Sequence, residues 1–558
     1  MSQLDCIIVG YNETPFNRYV ELLGNYGQDA EAYRDLKFSF VELDERPVSY
    51  VELLNHVVRS VNVDVGEPFK SGEIPNLAAV YLSNFLRRQG LRTKYINLFQ
   101  YEKDRFGQLL DQNPVCVAIT TTFYVLNFPV NEIVQFTRDR NSSVKIVVGG
   151  PLIANHLRNC SQESEIKASF ADMGADYFVV DSQGESTLTS LVQTLKAGDD
   201  PGTVPNLIYF QGGELVRTLV VPEGNSMDEV DIQWGDFGSE EDLGATIQMR
   251  TARSCAFKCA FCNYPTRAGK LSLAGLETVE RELESIRSVG NIKNVVFIDD
   301  TFNVPLPRFK DMCRMMIDRN FGFNWFSYFR CSNSDEEAFD LMAKSGCKGV
   351  FLGIESGSPT ILKNMNKAAL VERYAEGIKS LREHGIATFG SFIMGFPGET
   401  EETVEETVSF IRENKPDFYR VQMWYCEPGT PVFHEKEKYG IAGDGFVWQH
   451  NSMTSLEAMD HIERLFLQVK ESLWLPQWSF DFWFIPYFLG KGLSLDHFKQ
   501  FVSHAGDLLA MDIASVPTDE KKRMQKSYLR QMCGMVKTWP TEQLSHKPRR
   551  LMAGRNRG

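Results

Sequence analysis

The sequence predicts an α/β protein: a Rossmann-like N-terminal domain, then a partial (β/α)6 barrel, then a helical C-terminal region. Three patterns lead there. Near-continuous apolar runs alternate with helical stretches between residues 75 and 200. A longer alternation of the same kind restarts near Ile247, and after about residue 455 the strand patterns stop. Strands apolar at every position, rather than every second one, belong to parallel sheets covered on both faces.

Residues 1–74 read as an N-terminal extension: one apolar strand, Asp5-Cys6-Ile7-Ile8-Val9-Gly10, then a stretch without periodicity. Turn residues punctuate it at Gly66-Glu67-Pro68 and Gly72-Glu73-Ile74-Pro75. The Rossmann-like domain, 75–200, opens with a helical pattern at Leu77, Val80, Tyr81, Phe85 and Leu86, ended by Gly90. Apolar runs at 95–98, 115–119, 145–150 and 177–180 and a helix over 185–195 complete it, and 201–240 read as a linker. The barrel, 241–454, has six strand candidates: 247–249, 294–298, 324–329, 349–354, 387–394 and 418–423. Such barrels gather their functional groups at the C-terminal strand ends. The helical domain, 455–540, carries an aromatic cluster that includes Trp474, Trp478, Phe480, Phe482 and Trp483, and 541–558 reads as a disordered basic tail. The aromatic cluster either caps a substrate cavity or packs a helical lid onto the barrel.

Composition narrows the function. With 59 Lys+Arg against 73 Asp+Glu, the net charge of −14 repels phosphates, so no nucleic acid and no anionic membrane surface is expected as partner. No run of about 18 apolar residues and no secretory signal is seen. Eleven cysteines without such a signal point to a reducing, cytoplasmic location, with thiols as ligands or core residues.

The most informative segment is Arg253-Ser254-Cys255-Ala256-Phe257-Lys258-Cys259-Ala260-Phe261-Cys262. Three cysteines at C-x3-C-x2-C follow the first barrel strand. A structural zinc needs a fourth Cys or His. Three thiolates and one vacant position suit a [4Fe-4S] cluster whose fourth iron is free to bind a ligand. The bland alternative is a chance group of core cysteines.

Cys255, Cys259 and Cys262, with the aromatic Phe261 before the third, resemble the cluster motif of the radical S-adenosylmethionine (SAM) superfamily. The resemblance implies a partial (β/α)6 barrel and a [4Fe-4S] cluster that chelates SAM and cleaves it reductively to a 5′-deoxyadenosyl radical. It also implies SAM-binding roles for Phe261, for Asp299 and Asp300 after the second strand, and for Arg330, whose guanidinium suits the SAM carboxylate. Glu355 would accept from ribose or the methionine amine, and Gly395, in Ile393-Met394-Gly395-Phe396-Pro397-Gly398, would let backbone approach adenosine. Structural ion pairs are the rival account of Arg330 and Glu355.

A Rossmann-like domain ahead of such a barrel resembles the cobalamin-binding class of radical SAM enzymes. That resemblance assigns corrin contacts to Thr120, Thr121 and Thr122, to Gly149 and Gly150, and to Gly184 and Glu185. An empty domain or a nucleotide site is the rival reading, although no G-x-G-x-x-G fingerprint follows the first strand of this domain. No Asp-x-His-x-x-Gly motif is present either, so the lower axial ligand of cobalt is not expected to be histidine.

The implied activity is that of a class B radical SAM methyltransferase, moving a methyl group from SAM through methylcobalamin to an unactivated carbon or a phosphinate centre of a natural-product intermediate or peptide. A flavodoxin- or ferredoxin-type electron donor is implied as partner. The runs Asp5-Cys6-Ile7-Ile8-Val9-Gly10-Tyr11-Asn12 and Asn263-Tyr264-Pro265-Thr266-Arg267-Ala268-Gly269 look similar to the P-methyltransferases of phosphinothricin-type pathways. The alternative is a cobalamin-binding radical SAM oxidoreductase, cyclase or ring-contracting enzyme without methyl transfer. Cys313 and Cys347 read as core; Cys331 and Cys426, at strand ends, read as core ahead of substrate contact.

Overall fold

The computed structural model describes residues 4–160, 162–181 and 183–544; the tail expected at 541–558 lies outside them from residue 545 onward. The N-terminal sheet contains β1 (Cys6–Tyr11), β2 (Thr93–Leu98), β3 (Cys116–Thr120), β4 (Lys145–Gly149), β5 (Tyr177–Val179), β6 (Leu207–Gln211) and β7 (Glu214–Arg217), in the order β2-β1-β3-β4-β5-β6-β7. The first five are parallel, and β6 and β7 add an antiparallel edge.

Two expected boundaries give way here. The first strand is not part of an extension: β1 lies between β2 and β3, one strand in from the edge of the sheet. Its alternate side chains feed two cores, Ile7 and Val9 on one face, Cys6 and Ile8 on the other, so both faces are dry. Nor are residues 201–240 a free linker. They contribute β6 and β7, and Met227, Val230, Ile232, Trp234 and Phe237 are buried.

The remainder of the first 74 residues packs on the far end of the chain. Phe38 meets Trp474 at 4.9 Å, and Tyr50 meets Phe480 at 5.6 Å. Arg34, on the helix Glu31–Lys37, pairs with Asp460 and Glu463 of the helix Ser455–Gln468.

The second sheet is all parallel: β8 (Thr246–Met249), β9 (Asn294–Phe297), β10 (Asn324–Phe329), β11 (Cys347–Glu355), β12 (Ala387–Met394), β13 (Phe418–Met423) and β14 (Leu473–Trp474), in chain order. Six are the expected strands; the two-residue β14 extends the sheet. No pairing joins β8 to β14 among the described residues, so the barrel is open. Phe482 from the aromatic cluster enters it, with ring centroids 5.8 Å from Phe389 and 6.1 Å from Phe351. Near the start of β8 and β9, Thr246 and Asn294 donate to the Pro486 carbonyl at 3.0 and 2.8 Å. The aromatic cluster is thus a plug within the barrel as well as packing for the helices behind it.

Trp234, fully buried, donates its indole N–H to Glu282 at 3.1 Å and so fastens residues 227–237 to the helix Leu276–Val289. Burial pushes the Glu282 carboxyl up to about 7, against the pull of the Trp234 and Ile232 donors. Below about pH 4.5 the group is protonated in both folded and unfolded chains. Between there and about pH 7 the unfolded chain ionises first, so stability falls as pH rises, by about 3 kcal/mol in all. The Glu282→Gln variant should show a flatter decline in thermal midpoint from pH 5 to pH 8 than the parent; parallel declines would refute the assignment.

Candidate active site

The three cysteines lie on a loop held at every side. Its approach is fixed by Asp299, whose carboxylate accepts from the backbone N–H of Thr251 at 2.6 Å and of Ala252 at 3.0 Å, and from the Thr251 hydroxyl. Ser254 then takes a left-handed conformation, φ 73°, and donates its hydroxyl to the Gly269 carbonyl at 2.7 Å, closing the loop on itself. A non-glycine residue there stores about 1–3 kcal/mol of strain. Ala260 N–H donates to Met365 O at 2.7 Å, and Val432 N–H to Ala260 O at 2.9 Å. Asn366 Nδ2 donates to Lys258 O at 2.8 Å.

Within this frame Cys259 is buried and Cys255 and Cys262 are half-buried. Burial raises the Cys259 and Cys262 thiols above their ordinary range. Among the described residues no three His, Cys, Asp or Glu side chains are grouped as one ion would require. A cluster, which seats each thiolate on a separate iron, suits this donor set.

Arg330 follows β10 and is buried. Its guanidinium lies 3.6 Å over the Phe257 ring, Nε donates to Ser332 Oγ at 3.1 Å, and Nη2 is buried without a partner. An unpaired buried donor costs about 1–3 kcal/mol; beside the cysteine loop it is a place for a carboxylate. Glu355, also left-handed at φ 71°, ends β11 and takes an ion pair from Lys367 at 2.7 Å. Both are buried. Burial works against the Lys367 charge, but Glu355 outweighs it and its pKa is raised. Lys367 also lies 5.6 Å from the Phe261 ring centroid. Gly353 leaves room for this pair: a Cβ there would come 2.7 Å from the Glu355 carboxylate.

Two expected SAM contacts change meaning. The Asp299 carboxylate is spent on the loop approach, making it a positioning residue, whereas Asp300 beside it is exposed, with Tyr264 as its hydrogen-bond partner. Burial against the protein, and then Asp299, push the Asp300 carboxyl up to about 6. Gly395, φ 87°, is required by protein packing: a Cβ would sit 2.5 Å from the Trp448 indole and 2.8 Å from Ala458. Its carbonyl accepts from His450 Nε2 at 3.0 Å.

The Rossmann edge is corrected likewise. Thr120 donates to Gly10 O at 2.8 Å, and Thr121 donates to Gly149 O at 2.9 Å while accepting the Leu152 N–H. Neither hydroxyl is offered outward; Thr122 is exposed. Gly150, φ 112°, lets Thr121 approach, for a Cβ would meet its hydroxyl at 2.8 Å. Gly149 and Gly184 would each bring a Cβ against Val179, at 3.3 and 3.1 Å. Glu185 is buried and faces the barrel: its carboxylate lies 3.6 Å from Arg253 and accepts from Asn225 at 3.2 Å. Next to Thr122, Phe123 and Val125 are 60% and 79% exposed, an apolar surface at the C-terminal edge of the sheet that a flat macrocycle would cover. His156 is tied to Asn127 at 2.8 Å.

Two bridges therefore cross from this edge to the cysteine loop. Glu185 meets Arg253, two residues before Cys255. On the other side, Arg158 meets Glu427 at 3.5 Å, and Glu427 accepts from Asn263, next to Cys262, at 2.6 Å. Lys367, Arg158 and Glu427 escaped the sequence reading, because isolated charged residues carry no pattern that distinguishes a bridge from a solvated surface. Cys313, Cys331, Cys347 and Cys426 are all buried core.

Residues 249–411 match the family model described as the Radical SAM superfamily. The barrel is a radical SAM domain, which implies a [4Fe-4S] cluster and SAM, and the protein is an enzyme. Its fold is shared with OxsB, a cobalamin-dependent S-adenosylmethionine radical enzyme solved with aqua-cobalamin bound: TM-score 0.57, 16% identity, 82% of this chain and 73% of that one. An uncharacterised methyltransferase of Pyrococcus horikoshii is 27% identical over 60% of this chain and 70% of its own length. The anaerobic magnesium-protoporphyrin IX monomethyl ester cyclase of Cereibacter sphaeroides is 26% identical over 65% and 61%. Among the described residues no helix is long and apolar enough to cross a membrane.

The Glu355–Lys367 pair offers a direct check. Lys367→Met leaves a buried carboxylate without its partner and should cost about 3–5 kcal/mol, read as a lower thermal midpoint. Lys367→Arg should recover much of it; equal midpoints for parent and Met variant would show that the pair holds nothing.

Proposed function

We propose that this protein is a cobalamin-dependent radical SAM methyltransferase. The observation that carries the reading is the pair of bridges that fix the Rossmann edge against both ends of the cysteine loop, bringing the proposed sites of two cofactors to one barrel mouth. The exposed apolar surface beside Thr122 supports cobalamin, as does the fold shared with OxsB. The methyltransferase name of the Pyrococcus relative supports methyl transfer over cyclisation.

When bound, the cluster supplies a single electron to SAM, and the cobalamin a transferable methyl group. The chain's own residues bind and orient. Cys255, Cys259 and Cys262 hold the cluster, and the unpartnered Nη2 of Arg330 takes the SAM carboxylate in a charge-assisted hydrogen bond. Asp300 would take the methionine amine. Glu355, oriented by Lys367, accepts from ribose, and Phe261 supplies an apolar edge beside it. Thr122 and the turns at Gly149, Gly150 and Gly184 border the corrin surface. The apolar barrel wall excludes water, which protects a radical from quenching. The acceptor is an unactivated carbon or a phosphinate centre of a small molecule or peptide, and a flavodoxin- or ferredoxin-type protein in the cytoplasm delivers the electron.

The test is anaerobic reconstitution with iron, sulfide and hydroxocobalamin. About four irons per chain and retained corrin absorption are expected, and Cys259→Ala should lose the iron while keeping the corrin. With substrate, S-adenosylhomocysteine should accompany 5′-deoxyadenosine. 5′-Deoxyadenosine without S-adenosylhomocysteine would favour the cyclase or oxidoreductase reading, toward which the magnesium-protoporphyrin relative points.

A further inference from the structure

Deeper in the barrel lies a polar group that the cofactors leave unused. Arg420 is in the middle of β13 and pairs in register with Ser391, which pairs with Gly353. That row shares the face of Phe351 and Phe389, the residues that meet Phe482 inside the barrel, so the Arg420 side chain points into the lumen. The lumen opens to either side of this row, within which Ser391 and Arg420 are themselves buried. The inward Tyr328, Phe351, Gly353, Ile393 and Gln422 are half-buried, whereas their outward neighbours Leu352, Ile354, Phe392 and Val421 are buried beneath the helices.

Arg420 is only 5% exposed and its Nε has no partner. Nη2 donates to Gln477, an exposed side chain that a ligand can displace. Nε and Nη2 together form the edge on which a guanidinium grips an acid group through two parallel bonds. Two carboxylates face it from other elements: Asp35, on the helix Glu31–Lys37, and Asp481, beside the plug. Neither comes within ion-pair distance of Arg420 among the described residues. Asp481 accepts the Trp483 N–H at 3.0 Å, and neither it nor Asp35 takes a cationic side chain in an ion pair among the described residues. Burial pushes the Asp481 carboxyl up to about 6, a group that gains by meeting a cation. Beside Asp481 stands an aromatic wall: Trp483 lies 4.7 Å from Tyr328 and stacks parallel to Phe351 at 6.1 Å.

We propose that this pocket binds the amino-acid end of the substrate, a zwitterion whose acid group sits on Arg420 and whose ammonium group sits between Asp35 and Asp481. A simple anion would meet two repelling carboxylates, and a simple amine would leave the Arg420 edge unpaired; a zwitterion satisfies all three groups. The assignment rests on the proposed function only in taking the barrel lumen as the substrate site, and names the substrate class for it.

The test uses three probes that share one aromatic skeleton: L-phenylalanine, 3-phenylpropionate and phenethylamine. Each is titrated calorimetrically into the cluster-, SAM- and cobalamin-loaded enzyme. L-Phenylalanine should bind at least tenfold more tightly than either singly charged analogue. Arg420→Met should abolish its advantage over phenethylamine, and Asp481→Asn its advantage over 3-phenylpropionate. If Arg420→Met fails to fold, the Asp481→Asn arm still decides. Equal affinity for L-phenylalanine and 3-phenylpropionate, or no binding of any probe, would overturn the assignment. S-Adenosylhomocysteine formation is read separately with candidate substrates. Its appearance without zwitterion preference leaves methyl transfer standing and this pocket refuted, and the converse result does the reverse.

Discussion

Glu185 and Arg253 are buried together at the seam between the sheet and the barrel, and the rest of the site is arranged around that contact. A buried ion pair gives little net stability, because desolvation consumes most of its Coulomb energy, but separating it is costly. Its value is positional. It sets the C-terminal edge of a Rossmann-like sheet against the residue that leads into Cys255, while Arg158, Glu427 and Asn263 do the same after Cys262. The loop is fixed at both ends by the neighbouring domain and in the middle by the backbone at Met365 and Val432.

Strain and unpaired polarity are concentrated where such rigidity can hold them. Ser254 and Glu355, both left-handed, flank the barrel mouth. Arg330 and Arg420 each keep one buried nitrogen without an acceptor. Folded proteins satisfy nearly all buried donors, and these two guanidinium nitrogens in one barrel are the donors on which the proposed SAM and substrate contacts rest.

Much of the architecture was legible because each of the six expected barrel strands is an apolar run bounded by helical periodicity, and C-x3-C-x2-C is a local pattern. What stayed hidden depends on geometry across the chain. The two-residue β14 has no period to detect. β1 looked like an isolated strand because its neighbours β2 and β3 arrive more than 80 residues later. A threonine at a strand end has two possible partners, ligand or backbone; Thr120 and Thr121 chose backbone, and nothing local distinguishes them from Thr122. Asp299 and Asp300 are adjacent, yet one is spent on Thr251 and the other faces out. Glycines mislead similarly, since Gly395 makes room for Trp448 rather than for a ligand.

The aromatic plug has a consequence for biosynthesis. Phe482 and its neighbours reach the barrel only after all its major strands have been made, and the helices that support them rest on residues near the start of the chain, through Phe38 and Tyr50. Contacts of such sequence separation slow folding. The nascent barrel must therefore wait on the ribosome with its cavity unsealed, and that interval is the time when a chaperone or an iron-sulfur carrier has the freest access to the three thiols.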